Sequence, residues 1–567
     1  MKKIYSLITI IILSFKLQSQ TLQWAKALSG AGSDFGSSVT VDAFGNVYTT
    51  GMFEGTADFD PSGGIFNLTS AGNYDIFISK LDASGNFVWA KAMGGIDYDY
   101  GLSITTDAAG NVYSTGYFQG TADFDPGVTT FNLFTIPGAN EMFISKLDGS
   151  GNFVWAKSLG GTNDDVGFSI VLDTVGNIYT TGYFEGTADF DPGVGTFNLV
   201  AVGNSDIFVA KLDAAGNFVW AKAMSGGSNE YGFSINLDAA GNVFTTGYFL
   251  GIVDFDPGIG TSTLTAVGTD NVFISKLDAA GNFVWVKGIN GPNGERGYSL
   301  VTDASGNIYT TGYFYGTTDF DPGSGTFNLT SPNGSSDIFI LKLDASGNFV
   351  WAKAMGGPNS DRGLSIALDG VGNIYTTGVF DVTADFDPGL GTFYLTSTGF
   401  GDIFVSKLDA SGNFVWAGSM GGTSGSDEGY SIALDGSGSI YTTGFFWNTA
   451  DFDPNAPIFN LTSVSSVSDI FVQKINQLVT VQELNTSFDF SISPNPSSGI
   501  FTVTSQEEIT AIEIYNVLGE NIISLPLGGG IKGGGETKLD LSAQAKGIYF
   551  IKVQCGDKVS TQKIVIE

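Results

Sequence analysis

Apolar and polar residues alternate in four short runs that recur at a nearly fixed spacing between residues 21 and 476. In the copy at residues 232–288 the runs read "GFSINLD", "NVFTTGYF", "VFISKLD" and "NFVWVKG". Alternation over about four to eight residues predicts half-buried β-strands, and helical periodicity is absent almost everywhere. We name these predicted strands a, b, c and d of one repeat unit.

The turns between strands a and b and between strands c and d share the pattern D-x-x-G-N, as at residues 238–242 and 278–282. Glycine supplies a positive φ, and Asp and Asn side chains bond to the local backbone, so both turns predict tight hairpins. The abundance of glycine and aromatic residues, 80 Gly, 46 Phe and 21 Tyr, also suits an all-β chain.

The strand count predicts how the units are arranged. Strand d carries a tryptophan seven times, at Trp24, Trp89, Trp155, Trp220, Trp285, Trp351 and Trp416. The first copy, in residues 22–28, precedes every a strand, whereas the last unit, residues 429–476, ends without a d strand. Four-stranded units at a fixed period are typical of a β-propeller. We therefore predict a seven-bladed β-propeller over residues 21–476, closed by the N-terminal strand. An open solenoid would explain the repeats but not this complementary remainder.

The N-terminal residues predict export. Residues 1–19 combine two lysines with an apolar run that is short for a membrane span, which favours a secretory signal peptide over a membrane anchor. No later segment is apolar enough to span a bilayer, so no membrane span is expected in the mature protein. The single cysteine, Cys555, excludes an intramolecular disulfide and is expected to be a core residue.

Charge and the absence of histidine exclude several function classes. The net charge is −33, and most lysines of the repeats occupy fixed strand positions instead of a patch, so nucleic acid is not an expected partner. Without histidine, Ser-His-Asp and Cys-His catalysis and imidazole metal sites are excluded. Glycosidase chemistry, which needs two carboxyl groups, remains open. Near-identity of the repeats favours a protein that is not an enzyme.

An Asp-Phe-Asp-Pro tetrapeptide lies between strands b and c in every unit. Its acidic residues are Asp58, Asp60, Asp123, Asp125, Asp189, Asp191, Asp254, Asp256, Asp319, Asp321, Asp385, Asp387, Asp451 and Asp453. In the preferred interpretation the Phe packs inward and the carboxylates accept backbone N–H bonds of the following turn. In the alternative they bind Ca²⁺, which needs about six to eight oxygen ligands and would give a modest calcium-selective rise in melting temperature. No other cofactor is expected.

A second acid lies between strand d and the next strand a, two residues before a glycine. Its copies are Asp34, Asp99, Asp165, Glu230, Glu295, Asp361 and Asp427. In a four-stranded meander the b–c and d–a connections share one side of the disc, so this side is expected to carry at least 21 carboxylates. Arg296 and Arg362 are expected to be local partners of these acids.

After a linker at residues 477–489, residues 490–567 change pattern and predict a small β-sandwich. The strand "GIYFIKVQCG" places Tyr549, Ile551, Val553 and Cys555 on one face. A hairpin is expected to turn at Gly519, and the glycine-rich stretch at residues 528–535 is expected to lengthen a hairpin loop.

Both parts of the chain resemble known families. The units, with their "GNVYTTGYF" and "DIFISKLDASGNFVWAKAMGG" patterns, resemble the bacterial secreted β-propeller repeat family. The motifs "SPNP", "VLGENI", "LDLS" and "GIYFIKV" in residues 493–553 resemble the C-terminal sorting domain of the type IX (Por) secretion system. That resemblance implies that residues 490–567 engage the type IX machinery. It also implies a secreted or outer-membrane surface-attached protein of a Gram-negative bacterium.

The sequence therefore favours a non-catalytic binding or scaffold protein at the cell surface or outside the cell. Its expected ligand is an extracellular glycan or protein that the sequence does not identify. The alternative is a secreted carbohydrate-active enzyme that uses carboxylates of the acidic side.

Overall fold

Antiparallel strands make up nearly all regular structure of this protein. The computed structural model describes residues 19–455, 457–478, 490–505, 508–516, 521–531, 536–555 and 558–567. Within these ranges the only helical elements are two 3-10 turns, Pro332–Gly334 and Val464–Ser466. The chain divides after Leu478 into a repeat region and a C-terminal domain. The predicted signal peptide (1–19) and linker (477–489) fall almost wholly outside the described residues.

The first six repeat units each form an antiparallel sheet in the order a-b-c-d, as the alternation predicts, and the seventh contains strands a, b and c. The a strands are Phe35–Val41, Tyr100–Thr106, Asp165–Leu172, Tyr231–Leu237, Glu295–Thr302, Arg362–Leu368 and Glu428–Leu434. The b strands are Val47–Asp58, Val112–Gln119, Ile178–Asp189, Val243–Phe249, Ile308–Tyr315, Ile374–Asp385 and Ile440–Trp447. The c strands are Asn67–Leu81, Asn140–Leu147, Asn198–Leu212, Asn271–Leu277, Ser336–Leu343, Tyr394–Leu408 and Ser468–Leu478. The d strands of the first six units are Phe87–Gly95, Phe153–Gly161, Phe218–Gly226, Phe283–Ile289, Phe349–Met355 and Phe414–Gly422.

Beyond the sheet, strands b and c continue as a hairpin whose tip holds the Asp-Phe-Asp-Pro tetrapeptide. In four units this extension is a separate pair of short strands: Thr121–Asp123 with Asn132–Phe134, Ile252–Asp254 with Thr263–Thr265, Thr317–Asp319 with Asn328–Thr330, and Thr449–Asp451 with Asn460–Thr462. The extension also pairs with the end of strand d of the preceding unit, as Asp123 does with Gly94. Each unit is thereby joined to its neighbour through backbone hydrogen bonds.

The N-terminal strand, Ser19–Gly30, is longer than the predicted residues 22–28 and contacts both ends of the repeat region. It pairs antiparallel with residues 470–478 of the c strand of the last unit, Ser468–Leu478. Its final residues, Ser29 and Gly30, pair with Asp58 and Ala57 of the first unit. It therefore makes the same two sets of pairings that a d strand makes elsewhere in the repeat region.

The a strands of neighbouring units are joined by serine hydroxyls that accept a backbone N–H. The donors and acceptors are Ile104 and Ser38, Ile170 and Ser103, Ile235 and Ser169, Leu300 and Ser234, Ile366 and Ser299, and Ile432 and Ser365. The seventh bond, from Val39 of the first unit to Ser431 of the last, measures 3.1 Å. The series thus returns to the unit where it begins.

Glycines near the start of each strand a permit this close approach. A Cβ on Gly36 would lie 2.4 Å from Thr443 Oγ1, and one on Gly101 would lie 2.4 Å from Thr50 Oγ1. Both distances are far below van der Waals contact, so a side chain at either position would push the units apart. The hydrophobic core correspondingly lies between successive sheets, where Trp24 and Leu28 pack with Val39 of the first unit and Ile470 of the last.

The C-terminal domain consists of two antiparallel sheets around one core. One sheet contains Phe490–Ser493, Ile500–Ser505 and Glu536–Asp540, and the other contains Asn521–Ile531, Ile509–Asn516, Gly547–Cys555 and Lys558–Ile566. Tyr549, Ile551, Val553 and Cys555 are buried together, as predicted. The predicted turn at Gly519 lies outside the described residues. The predicted loop at residues 528–535 is wrong for its first half, because residues 528–531 continue a strand.

We predict that deleting residues 21–28 lowers the melting temperature and promotes self-association. The deletion removes buried Trp24 and Leu28, at about 3 kcal/mol or more each, and exposes the strand Ser468–Leu478 as a sheet edge. We expect a decrease of roughly 10 °C in differential scanning calorimetry, with dimers in light scattering. A chain starting at Ser19, which keeps the strand, is the control. A deletion variant that melts like this control and stays monomeric would contradict the prediction.

Candidate functional site

The acidic residues of the tetrapeptide hold the tip of the b–c hairpin. Asp58 Oδ1 accepts the backbone N–H groups of Asp60 and Phe66 at 3.0 and 2.8 Å, and Asp60 Oδ1 accepts that of Ser62 at 2.8 Å. Phe59 between them is buried against Phe77. The same two bonds to the first acid recur at Asp123, Asp189, Asp254, Asp319, Asp385 and Asp451. The same bond to the second acid recurs at Asp125, Asp191, Asp256, Asp321, Asp387 and Asp453.

This geometry fits the turn interpretation of the tetrapeptide. Backbone N–H groups point at the carboxylates, whereas a calcium site requires several oxygen atoms that converge on one point. In the described residues, no group of three or more acidic or cysteine side chains comes close enough to hold a metal ion. Calcium binding at these acids stays an untested alternative.

The acids of the d–a connections are buried, which corrects the expectation that they add to a charged surface. Their exposed fractions are 0 or 1% at Asp34, Asp99, Asp165, Glu230, Glu295, Asp361 and Asp427. Asp99 accepts the backbone N–H of Gly95 at 2.6 Å and that of Gln119 at 3.1 Å. The same two bonds recur at Asp165, Asp361 and Asp427, so these four acids join the end of strand d and strand b to the connection.

A second buried acid faces each of these acids in six of the seven positions. The pairs are Asp34 with Asp469, Asp99 with Asp75, Asp165 with Glu141, Glu230 with Asp206, Asp361 with Asp337, and Asp427 with Asp402. The partner acid lies in strand c of the preceding unit. In the Asp75 pair its Oδ2 accepts the N–H of Ala71 at 3.0 Å, while its Oδ1 is buried without a hydrogen-bond partner.

The seventh position shows what such a pair requires. There Asn271 replaces the partner acid, and its amide nitrogen donates to Glu295 Oε2 at 2.6 Å. Its Oδ1 accepts the N–H of Val267 at 2.5 Å, just as Asp75 Oδ2 accepts that of Ala71. By this comparison, Asp75 Oδ1, which has no hydrogen-bond partner, corresponds to the amide nitrogen of Asn271, which is a donor. A carboxyl group can donate there only when protonated, so the Asp99–Asp75 pair is expected to share one proton.

Burial raises the pKa of the d–a acids, which also favours the protonated form. The pKa is about 7 for Asp99, Glu295 and Asp427, and about 8 for Asp34, Asp165, Glu230 and Asp361, mainly because burial penalises the charged form. The facing acid adds to this, as do Glu54, Asp97, Glu185, Asp270 and Asp381 near individual pairs. The acids of the a–b and c–d turns, such as Asp42 and Asp82, behave oppositely, because several hydrogen bonds outweigh desolvation and lower their pKa.

The two arginines of the chain lie at equivalent positions in neighbouring units, next to one cavity. Arg296 and Arg362 each follow a d–a acid, where other units have Phe35, Tyr100, Val166, Tyr231 and Glu428. The sequence predicts that each arginine pairs with its neighbouring d–a acid. Neither arginine does so in the structure. Arg296 Nε instead donates to Asp270 at 2.5 Å, and Arg362 Nη2 donates to Glu428 at 3.1 Å.

The cavity has a volume of about 440 Å³ and lies between the fifth and sixth units. Its lining combines Arg296 and Arg362 with Tyr298, Tyr313, Tyr315, Ser336, Ser360, Val379, Asp381, Gly401 and Ser426. Tyr298 and Tyr313 have ring centroids 5.8 Å apart, and Tyr315 is 5.5 Å from Tyr313. The cavity therefore offers aromatic surface, hydroxyl groups, guanidinium groups and one carboxylate together.

Aromatic side chains continue from this cavity across the preceding units. Phe233 stacks on Tyr298 at 5.2 Å, Tyr231 stacks on Tyr248 at 5.0 Å, and Tyr100 stacks on Tyr117 at 4.8 Å. The residues of this surface vary between units, so the repeat pattern does not predict it. The signal in the sequence is the break in the repeat at Arg296 and Arg362.

Two families match the chain. Residues 23–52 and 154–183 match the beta-propeller repeat family, and residues 491–567 match the secretion system C-terminal sorting domain. Two stretches of the repeat region thus match β-propeller repeats. The chain ends in the sorting domain that marks a secreted or cell-surface protein of Bacteroidetes-like Gram-negative bacteria.

The chain matches two curated relatives over only part of their length. An uncharacterized WD repeat-containing protein of Acanthamoeba polyphaga mimivirus is 26% identical over 499 residues, which is 75% of this chain and 36% of the relative. Regulatory protein FlaEY of Caulobacter vibrioides is 27% identical over 144 residues, 25% of this chain and 15% of the relative. This chain spans much less than two thirds of either relative.

Two solved structures are also similar to the chain. Sqt1 from Chaetomium thermophilum has 11% identity and a TM-score of 0.38 over 79% of this chain and all of its own. PorZ, a surface component of the type IX secretion system of Porphyromonas gingivalis, has 11% identity and a TM-score of 0.15 over 95% of this chain and 99% of its own. Scores this low carry no argument about fold or function. Among the described residues, no helix is long and apolar enough to cross a membrane.

We predict that stability falls as the pH rises from about 5 to about 9. Between the unfolded pKa values of 3.8 to 4.5 and the raised values near 7 to 8, the folded chain binds more protons than the unfolded chain. Each such group then lowers the free energy of unfolding by about 1.4 kcal/mol per pH unit. In calorimetry, Asp75→Asn should reduce this slope and melt higher at pH 9, because its amide supplies the donor permanently. Asn271→Asp, the reciprocal control, should steepen it. Equal slopes in all three proteins would refute the shared proton.

The calcium alternative is tested by melting the protein in a chelator, in Mg²⁺ and in Ca²⁺ at matched ionic strength. Because each tetrapeptide carboxylate already accepts backbone N–H groups, we expect equal melting temperatures apart from ionic screening. A rise specific to millimolar Ca²⁺ would instead support weak sites with dissociation constants of about 10⁻⁴ to 10⁻³ M.

Proposed function

We propose that this protein is a closed seven-bladed β-propeller that binds an extracellular ligand without converting it. The proposal rests above all on the cavity beside Arg296 and Arg362, where the repeat is broken and aromatic, hydroxyl and charged groups converge. The sorting domain delivers this binding protein to the cell surface or the medium through the type IX machinery.

Two observations support closure of the repeat region. The strand Ser19–Gly30 pairs with the last unit along most of its length and with the first unit at its end. The series of serine bonds continues from Ser431 of the last unit to Val39 of the first with the same geometry as between other units. Closure also removes the open edges that would otherwise invite pairing between molecules.

The accessibility of the carboxyl groups favours binding over catalysis. A two-carboxylate glycosidase needs both groups at the substrate, about 5 to 10 Å apart. The d–a acids have the raised pKa that suits a general acid, but they are buried at 0 or 1% exposure. Among the residues that line the cavity, Asp381 is the one carboxylic acid. A carbohydrate-active enzyme remains the second candidate because a sugar-sized cavity and a carboxylate lie together.

We predict binding without turnover. The full mature protein is applied to a glycan array and, in parallel, incubated with the same polysaccharides in a reducing-end assay. Retention on a subset of glycans with no release of reducing ends agrees with the proposal. Release of reducing ends that is abolished by Asp381→Asn would contradict it and favour the enzyme. The same array with Asp387→Asn, which changes a tetrapeptide acid outside the cavity lining, controls for altered net charge.

A further inference from the structure

The charges around the cavity between the fifth and sixth units are nearly compensated. Arg296 is held by Asp270, and Arg362 by Glu428, at distances of 2.5 and 3.1 Å between nitrogen and oxygen. Asp381 adds a further carboxylate to the lining. The chain as a whole carries a net charge of −33. An anionic ligand would therefore meet a site without surplus positive charge inside a strongly negative molecule.

The arginines keep donors for a ligand beyond these pairs. A guanidinium group has five N–H donors in a planar fork, and the described ion pair uses one of them on each residue. The side chains of Arg296 and Arg362 remain 34 and 39% exposed. Arg296 is also fixed in orientation, because its guanidinium carbon lies 4.3 Å from the centroid of the Tyr248 ring. These donors are thus pre-oriented and their charge is already neutralised.

The remaining lining alternates apolar faces with hydroxyl groups. Tyr298, Tyr313 and Tyr315 present half-buried rings. Their centroids lie 5.5 to 5.8 Å apart and their planes are inclined by 52° and 79°, so together they form an angled aromatic wall. Ser336 lines the same cavity, and its buried Oγ has no hydrogen-bond partner among the described residues. A volume of about 440 Å³ falls within the range of small-molecule sites.

We propose that this cavity binds a neutral saccharide, with a sugar ring against the wall of Tyr298, Tyr313 and Tyr315 and its hydroxyls bonded to Arg296, Arg362 and Asp381. A pyranose ring has an apolar C–H face and a rim of hydroxyls that both donate and accept, which matches an aromatic wall bordered by donors and a carboxylate acceptor. This inference rests on the proposed binding function and specifies its ligand class. The aromatic rings that continue from Phe233 toward Tyr231 and Tyr248 extend the surface available to a longer chain.

The test titrates the full mature protein calorimetrically with neutral trisaccharides, namely cellotriose, mannotriose, xylotriose and chitotriose. Trigalacturonate and a sulfated trisaccharide are the anionic comparison. At least one neutral trisaccharide should bind, and its dissociation constant should change less than about twofold between 50 and 500 mM NaCl because no net charge is neutralised. Tyr315→Ala and Arg362→Ala should each weaken binding about tenfold or more. Phe44→Ala removes an exposed aromatic ring on an a–b turn, and this control should bind like the natural protein.

Each contrary outcome has a distinct meaning. Preferential, salt-sensitive binding of an anionic trisaccharide that is lost in Arg362→Ala would overturn the neutral ligand while leaving the proposed binding function intact. Neutral binding that survives both Tyr315→Ala and Arg362→Ala would remove the cavity as its site. Absence of binding to every trisaccharide would overturn the saccharide inference, whereas cleavage of any of them would overturn the non-catalytic function itself.

Discussion

Close approach of neighbouring a strands is the constraint on which the repeat region depends. The backbone N–H groups that face the neighbouring unit are satisfied by serine hydroxyls, as in the bond from Ile104 to Ser38. The approach is possible only because glycine stands at positions such as Gly36 and Gly101, where a Cβ would collide with a threonine hydroxyl. Wide contact between the sheets then lets large side chains, including Phe53 and Phe77, share one core.

The close approach of the units also explains why the acids between them are buried. Strand d of one unit and strand b of the next need a common acceptor for their unpaired N–H groups, and a carboxyl group with two oxygens provides one, as Asp99 does. Burial of that group, with a second acid such as Asp75 beside it, would be costly if both were ionised. We expect a proton retained by the Asp99–Asp75 pair to relieve this repulsion, and Asn271 achieves the same result at its own position with an amide.

Local patterns in the sequence were sufficient to predict the four-stranded units but not to predict the candidate site. Strand alternation, the turn motif and the strand count identified the four-stranded sheets and the pairing of the N-terminal strand, because these depend on short-range periodicity and on hydrogen-bond pairing. The sequence could not reveal that Asp34 and Asp469, which are distant in the chain, share one buried position. Nor could it reveal the partners of Arg296 and Arg362, because Asp270 directly precedes strand c of the fourth unit and Glu428 begins strand a of the seventh.

The pair formed by the Asn271 amide and the Glu295 carboxylate lies next to the cavity. Glu295 immediately precedes Arg296, so the one position that needs no shared proton supports one side of the cavity. Arg362, on the other side of the cavity, instead follows Asp361, which faces Asp337. In an alkaline medium the amide of Asn271 still donates to Glu295 beside Arg296, whereas ionisation of both Asp361 and Asp337 would place two repelling carboxylates beside Arg362. The two sides of one cavity are therefore expected to respond unequally to alkali.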